Sequence, residues 1–520
     1  MSRKKTPSTE TTKPTFLSRR AFLQGAAGAG LAAAAGTLTA QPASVAAVRS
    51  GSGRWDEILD IVIIGSGFAG LSAAAEAADR GMKVAVIEKM ARFGGNSRIS
   101  HGEYAAWDDV YHLREKLHLG EDSASRHEED SLRAGGYYGN PDLVRLLVKQ
   151  APAALRWLLD KVGLKIRDNV TAAPGHTAHR IHAVIDGSGE MLATALLKMA
   201  DKNGTILRLN EKVTSIWRSN FSEPVTGVEV QRGNIRMNLY ARQAVILATG
   251  GFSRDLVLRQ IYNPALGAEY NSTNHDGATG EVIRAARAIG ADVTQLNFAQ
   301  VYPCADPVTG RFDVPSVFAL RGPAAGMIFV DPTGQRFVNE LSDGDTCARA
   351  QVRRAGAKKV TYALFNREMI SRMGTNDEVD AGLKTGRFAR GETLAELAQF
   401  LKMSPETLSR TVSEHNRFIR EDRDPEFGKS GLSQMMPMTE GPFYALPQWP
   451  AVHGTLGGLR INSRAQVLDI RGNVIPRLYA AGEVVGGIHG ADRLAGNGIA
   501  ECIVFGRLAG TNAAEEKPRT

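Results

Sequence analysis

Cysteine is scarce: the 520 residues include three, Cys304, Cys347 and Cys502, far apart in the chain. That number and spacing argue against a disulfide framework. No Cys-x-x-Cys-His motif is present to attach a c-type haem, and no Cys/His cluster suggests zinc, so the three read as small buried hydrophobes with no metal site. Long apolar runs are also missing, since the Ala/Gly-rich stretch at residues 25–36 is too weakly apolar to make a good membrane span. Internal repeats are absent. Charge is less lopsided than the net +8 suggests, because residues 1–47 hold six basic side chains against Glu10 and account for five of those charges. The remainder is too small to argue for a nucleic-acid partner. With 43% hydrophobic and 23% charged residues, the composition is that of an ordinary globular chain, long enough for two or three domains.

The N-terminal stretch "LSRRAFLQGAAGAGLAAAAG" places Arg19-Arg20 before Phe-Leu and a small-residue run, with cleavable small residues from Ala40 to Ala47. It resembles a twin-arginine export signal, which carries proteins already folded around a cofactor. Residues 1–47 are therefore expected to be removed, leaving a periplasmic protein without a membrane span.

What is plentiful is glycine in particular places. "IVIIGSGFAG" runs four branched apolar residues, Ile61–Ile64, into Gly65-x-Gly67-x-x-Gly70, with Phe68 and Ala69 between the second and third glycines. A helix-forming stretch ends at Gly81, and "KVAVIEK" gives a second strand ending at Glu88. Strand, glycine turn, helix and acid at these spacings form a dinucleotide-binding βαβ unit, with pyrophosphate at the helix N-terminus and ribose at the carboxylate. The acid disfavours NADP but does not separate NAD from FAD. Later segments do. "GGNS", with Gly95, Asn96 and Ser97, reads as a flexible loop suited to phosphate and flavin. "AVILATGGFS" is a buried strand that breaks at Thr249-Gly250-Gly251, and "IPRLYAAGEVVGG" ends another at Gly482-Glu483. A nucleotide site that begins near residue 61 and finishes near 483 holds a long, extended cofactor, which identifies FAD.

These segments, with "HGTLGGLRIN" and "GIHGADRLAGNGI", resemble the fumarate reductase/succinate dehydrogenase flavoprotein superfamily, in particular its soluble periplasmic branch of flavocytochrome c fumarate reductases and urocanate reductases. The likeness runs from about Asp60 to Ala514. It implies an α/β fold in which a Rossmann-like FAD-binding domain (55–302 and 448–515) is split by an α+β capping domain (303–447) that closes over substrate. The cap's first part reads as turn-rich, and its second holds helices in "TLAELAQFLKM" and "SPETLSRTVSEHNRFIRE". To the cofactor-binding set the resemblance adds Lys89, Val213, Asn497, Gly498 and Ile499. The haem domain of the flavocytochromes is absent, so electrons are expected to pass to or from a separate redox partner, a cytochrome c or a quinone-linked protein.

The family reaction transfers hydride between flavin N5 and a carbon–carbon bond beside a carboxylate. It needs groups that hold the carboxylate and a proton donor on the opposite side. His453 matches the family's substrate-binding histidine and Arg493, in "GADRLAGN", its carboxylate-binding arginine, whose planar fork suits the task. Tyr302 stands where fumarate reductases carry histidine and urocanate reductases tyrosine, which favours an unsaturated carboxylate or carbonyl substrate other than fumarate. A Thr-Glu pair is replaced by Ala319-Leu320. In "NELSDGDTCARAQ" the family's proton-donating arginine is replaced by Gly344. Tyr302 as acid, a substitute such as Arg321 or Arg349, or dehydrogenation with Asp343 or Asp345 as base are the ways round that loss. Dehydrogenases of tricarballylate- or ketosteroid-like compounds, and a flavin electron-transfer or binding protein, are the alternatives to a reductase. Among the histidines, His101, near the flavin face, reads as a packed loop residue rather than a substrate contact, the alternative for it. His176, His179 and His182 ("GHTAHRIH") fit one helix edge without a fourth ligand, and His489 reads as ordering a turn beside the flavin.

Overall fold

Four branched apolar residues in a row form a strand where both of its faces are covered. In the computed structural model, which describes residues 54–108 and 111–519, each of Ile61–Ile64 is at most 4% exposed. The export-signal residues 1–47 lie outside the described residues. Strand β1 (Glu57–Ile64) turns at Gly65 into helix α1 (Phe68–Asp79), and the chain returns through β2 (Val84–Ile87), parallel to β1 with Ile61 opposite Val84. Gly81, at φ +77°, follows the end of α1. "GGNS" is not a flexible loop: Gly94 in the left-handed region starts a single helical turn, α2 (Gly95–Arg98). Strand β3 (Ile206–Arg208) pairs with β2, and β4 (Ile235–Leu247) pairs with β1, both parallel.

Strand β5 (Ala299–Ala305) leads into a region with its own apolar core, a buried cluster from Cys304 to Leu446 that includes Phe318, Phe365 and Phe388. Its first part is helical where the sequence reads as turns: α3 (Val314–Arg321), α4 (Gly344–Ala355) and a helix at Asn376–Lys384. Asp313, Asp343 and Thr375 cap these helices, accepting from the amides of Ser316, Thr346 and Glu378. Asp and Thr favour N-caps and turns alike, so short capped helices look turn-like in sequence. Helices α5 (Leu394–Leu401) and α6 (Pro405–Glu421) fall on the two segments expected to be helical. Strand β6 (Phe443–Thr455) then runs antiparallel to β5, with Tyr302 opposite Ala451.

Strand β7 (Val474–Ala480) completes the parallel run β7-β4-β1-β2-β3, and α7 (Asn497–Ala514) lies against α1. Gly506 and Gly510 make that crossing close, since a Cβ on either would come within 2.5 Å of the carbonyl oxygen of Ala69 or Ala73. Gly65, Glu88, Thr249–Gly251 and Gly482–Glu483 all follow the carboxyl ends of β1, β2, β4 and β7, the edge where open α/β sheets bind ligands.

Candidate active site

The phosphate end is built from backbone. Gly67 caps α1 and Gly496 caps α7, neither with a side-chain hydrogen bond, so two helix N-termini keep free amide donors for an anion. At Gly65 and Gly70 an added Cβ would lie 2.3 Å from the Ala248 carbonyl oxygen and 1.9 Å from that of Gly65. The tight turn therefore admits no side chain. Phe68 N donates to Ser97 Oγ (2.8 Å), which ties α1 to α2. Glu88 accepts from Ser66 Oγ (2.6 Å), Ser66 N (3.2 Å) and Met90 N (2.9 Å), which fixes its carboxylate at the tip of β2. Val213 is buried just beyond Glu211, whose amide donates to the Glu88 carbonyl.

At the other end, Glu483 accepts from Thr455 N (2.9 Å) and from Asn96 Nδ2 (3.4 Å), while Asn96 Oδ1 accepts from His275 N (2.7 Å). Burial pushes the Glu483 carboxyl up against the opposing effect of the Thr455 and Gly251 amides. An added Cβ at Gly251 would be 2.1 Å from Thr455 Oγ1 and 2.4 Å from Glu483 Oε1.

Two of the expected cofactor contacts, Lys89 and Asn497, look different at atomic detail. Lys89 is engaged by Thr279 and by Glu281 (3.1 Å). The Asn497 side chain bonds His127 Nε2 (2.8 Å) and Ser131 Oγ (2.9 Å), so its backbone is the part left for a ligand. Gly498 and Ile499 form the first turn of α7 beside it. Two glycine-capped helix ends, glycines without room for a Cβ and carboxylates at both limits fit an extended dinucleotide.

The substrate end gathers aromatic rings and one arginine. β5 and β6 place Tyr302 on His453, rings stacked 4.0 Å apart at 11°. Thr273 Oγ1 meets His453 Nδ1 at 2.9 Å. Burial, then the Arg493 charge, then His101 hold His453 down at about 3, so its imidazole is neutral at ordinary pH and Arg493 is the cation of the pair. Burial raises the Tyr302 hydroxyl, against an opposing pull from Arg493. Arg493 Nη2 donates to Gln300 Oε1 (2.9 Å), and Gln300 Nε2 donates to Asp492 Oδ1 (2.7 Å).

His101 is exposed and its ring meets that of Phe312 nearly at right angles (5.6 Å), which in turn contacts Tyr302 (5.1 Å); it is not packed away in the loop. Phe312 sits in a loop with no periodicity and gave no sequence signal. Gln300 could have been found, since it lies two residues before Tyr302 on a strand of period two.

The substitutes suggested for the lost arginine are committed elsewhere. Arg349 pairs with Asp345 on the exposed side of α4, and Arg321 donates to the Met373 carbonyl. Asp343 caps α4; burial raises its carboxyl, but the Thr346 hydroxyl and amide outweigh that and hold it below the usual range, which suits a base poorly. Ala319 is buried and Leu320 exposed on α3. "GHTAHRIH" is no helix edge. Pro174 and Gly175 break the chain there, His176 Nε2 meets the Ala495 carbonyl (3.0 Å), and His182 lies on the strand Ile181–Val184. Among the described residues no group of three His, Cys, Asp or Glu could hold a metal ion. His489 Nε2 meets Glu501 Oε2 at 2.8 Å in a buried turn. Cys304 and Cys347 are buried, both thiols pushed up to about 12 by burial, while Cys502 is partly exposed. No described helix is long and apolar enough to cross a membrane.

A parallel sheet with this cradle at its carboxyl edge defines a flavin-binding oxidoreductase. Residues 60–499 match the FAD binding domain family. The acrylate reductase flavoprotein subunit of Shewanella woodyi is 32% identical over 506 residues, 95% of this chain and 98% of that one. The NADH:fumarate oxidoreductase of Klebsiella pneumoniae is 33% identical over 475 residues, 91% of this chain, which spans about half (49%) of that relative's length. The solved open conformation of a flavocytochrome c3 fumarate reductase aligns with TM-score 0.78 at 30% identity, covering 89% of this chain and 79% of that one. The chain belongs to the FAD-binding domain family, as its motifs suggested, and is an FAD-dependent oxidoreductase acting on CH–CH or C=C bonds.

Proposed function

We propose that the protein reduces a C=C bond conjugated to a carboxylate, with electrons delivered by a separate redox partner. The observation that supports this reading is the cluster of the Arg493 guanidinium, the neutral His453 imidazole and the Tyr302 phenol, with Tyr302 stacked on His453. FAD, held by the Gly65–Gly70 turn, Glu88 and Glu483, would supply hydride chemistry at this end of the cradle when bound. Arg493 holds the carboxylate, with its fork set by Gln300, and so polarises the double bond. His453, its Nδ1 engaged by Thr273, offers Nε2 to the same carboxylate. Tyr302 Oη gives a proton to the α-carbon and is reprotonated from solvent, so that two electrons and two protons convert the alkene to the saturated acid. The phenol's raised pKa and the commitment of Asp343 as a helix cap favour this direction over base-driven dehydrogenation.

Residues 303–447 act in this reading as the cap that closes over substrate, a role supported by their own buried cluster and by the β5 and β6 strands at its two ends. Residues 1–47 act as a twin-arginine signal, so export would be lost in Arg19→Lys/Arg20→Lys. The central test is anaerobic: reduce the bound flavin chemically and follow its 450 nm recovery with a panel of enoates. Rapid recovery that is lost in Arg493→Ala supports the reading. No recovery with any enoate, and bleaching of oxidised flavin by a saturated acid, overturns it in favour of a dehydrogenase.

A further inference from the structure

The segment "GHTAHRIH" takes no part in the proposed reaction, yet it carries a fully buried charge. We infer that His176, in that segment, is a positioning residue: through the Ala495 carbonyl it holds the stretch 493–497, which carries Arg493 at one end and the amino end of α7 at the other. On the substrate side this rests on the use of Arg493 in the proposed reaction; on the cofactor side it does not.

Arg180 is 0% exposed and sets its fork on Asp122 (Nε to Oδ2 2.8 Å, Nη2 to Oδ1 2.9 Å). Its Nη1 is left for Asp130 Oδ2 (2.7 Å) and His176 Nδ1 (3.3 Å). A guanidinium only donates, so Nδ1 accepts and the ring proton sits on Nε2, which donates to the Ala495 carbonyl at 3.0 Å. The buried ion network thus fixes the tautomer that reaches Ala495. The same network grips the stretch a second time. His127, on the helix Ala124–Ala134 with Asp130, meets Asn497 Oδ1 through Nε2 (2.8 Å), and Asn497 Nδ2 donates to Ser131 Oγ (2.9 Å). Gly175 lies against the stretch as well, since an added Cβ there would come within 2.6 Å of Leu494 Cδ2.

A protonated His176 would turn a second N–H toward Arg180 Nη1, and an accepting contact would become a repulsive one. The charged and titratable groups around the ring are Arg180, Asp130 and Asp122, with His127 on the neighbouring helix, Arg133 on the Gly175 carbonyl and Arg126 on Thr177. Burial, then Arg180, hold the imidazole below its usual range against the Ala495 carbonyl and the two aspartates. The ring is therefore neutral at pH 7, and its hold on the stretch is released only on acidification.

The test uses the FAD-loaded protein and two variants. His176→Leu removes both contacts; His176→Gln keeps a donor for Ala495 and an acceptor for Arg180 but takes up no proton. Flavin release after dilution is read from its fluorescence, and the enoate KM from anaerobic reoxidation, each from pH 7 to pH 5, with a thermal melt to report folding. His176→Leu is expected to release flavin about tenfold faster and to raise KM about tenfold, with kcat changed less, from the loss of one well-set hydrogen bond. His176→Gln is expected to recover most of both at pH 7 and to lose the acid-promoted release that the wild type shows. Unchanged release in His176→Leu, equal effects of Leu and Gln at pH 7, or the same pH dependence in Gln as in the wild type would overturn the positioning role. If His176→Leu does not fold, the pH dependence of Gln against the wild type decides alone. The reductase reading fails separately: if no enoate reoxidises the flavin, that reading falls, and flavin release still decides the role of His176.

Discussion

Gly344 stands where the family resemblance implies a proton-donating arginine, and the structure leaves no room to place one. An added Cβ there would lie 2.3 Å from the Val301 carbonyl oxygen, because α4 begins directly against β5. Gly344→Arg is therefore expected to push α4 off β5 and lower stability by ~1–3 kcal/mol, as overpacking does, without raising enoate reduction above the wild-type rate; a thermal melt beside the reoxidation assay checks both. In the proposed reaction the proton comes from Tyr302. Tyr302→Phe keeps the ring on His453 and removes only the hydroxyl, so kcat should drop by ~10²–10⁴ while KM for the enoate changes little. A loss confined to KM would make the hydroxyl a binding group and not an acid. Arg493→Lys should split the other way: it keeps the charge but loses the fork that Gln300 orients, so KM rises more than kcat falls.

At the scale of elements, the site depends on two helices crossing closely enough to aim both N-termini at one cofactor. Gly506 and Gly510, one turn apart on α7, lie against the carbonyls of Ala69 and Ala73 on α1. Gly506→Val would wedge the helices apart at a cost of ~1–3 kcal/mol and should release flavin. The measurement is the 450/280 nm ratio after gel filtration, and a variant with full flavin and an unchanged melt would show the crossing to be tolerant. The first βαβ unit was legible in the sequence because each signal was local: Ile61–Ile64, the glycine turn, Gly81 and Glu88 follow within 28 residues. Helices α5 and α6 were legible for the same reason. Helices α3 and α4 were not, since Asp313 and Asp343 announce a cap and a turn equally well. The site was half legible. Tyr302, His453 and Arg493 carried motif context, but the approach of Phe312 and His101 is made by loops far apart in sequence, and nothing local encodes it.

Over the whole molecule, neutral histidines buried beside cations set a limit on acid stability. Burial, with Arg180 adding, holds His127 down at about 4. Burial, with Lys429 adding, does the same to His415, whose Nε2 meets the Gly326 carbonyl at 3.1 Å. His415 lies beside a fully buried ionic cluster in which Arg336 and Lys429 meet Glu340 and Asp424. A third cation there would have no counter-ion, which explains why that ring stays uncharged. Both folded pKa values lie below the unfolded value of 6.5, so the unfolded chain binds the protons first and stability rises with pH across this window. The contribution is complete above about pH 6.5 and falls away as the pH drops toward 4, by at most about 2 kcal/mol for each histidine at pH 5. Carboxylates such as Asp130, where burial is outweighed by bonds from Thr177, Arg180 and Arg133 and the pKa is held at about 2, add their loss only below about pH 4. The melting temperature should therefore fall between pH 7 and 5, before carboxylates held low such as Asp130 protonate, and the fall should be shallower in His415→Gln. A flat profile from pH 7 to 5, or the same slope in that variant, would mean that the imidazole is not the group whose protonation opens the fold.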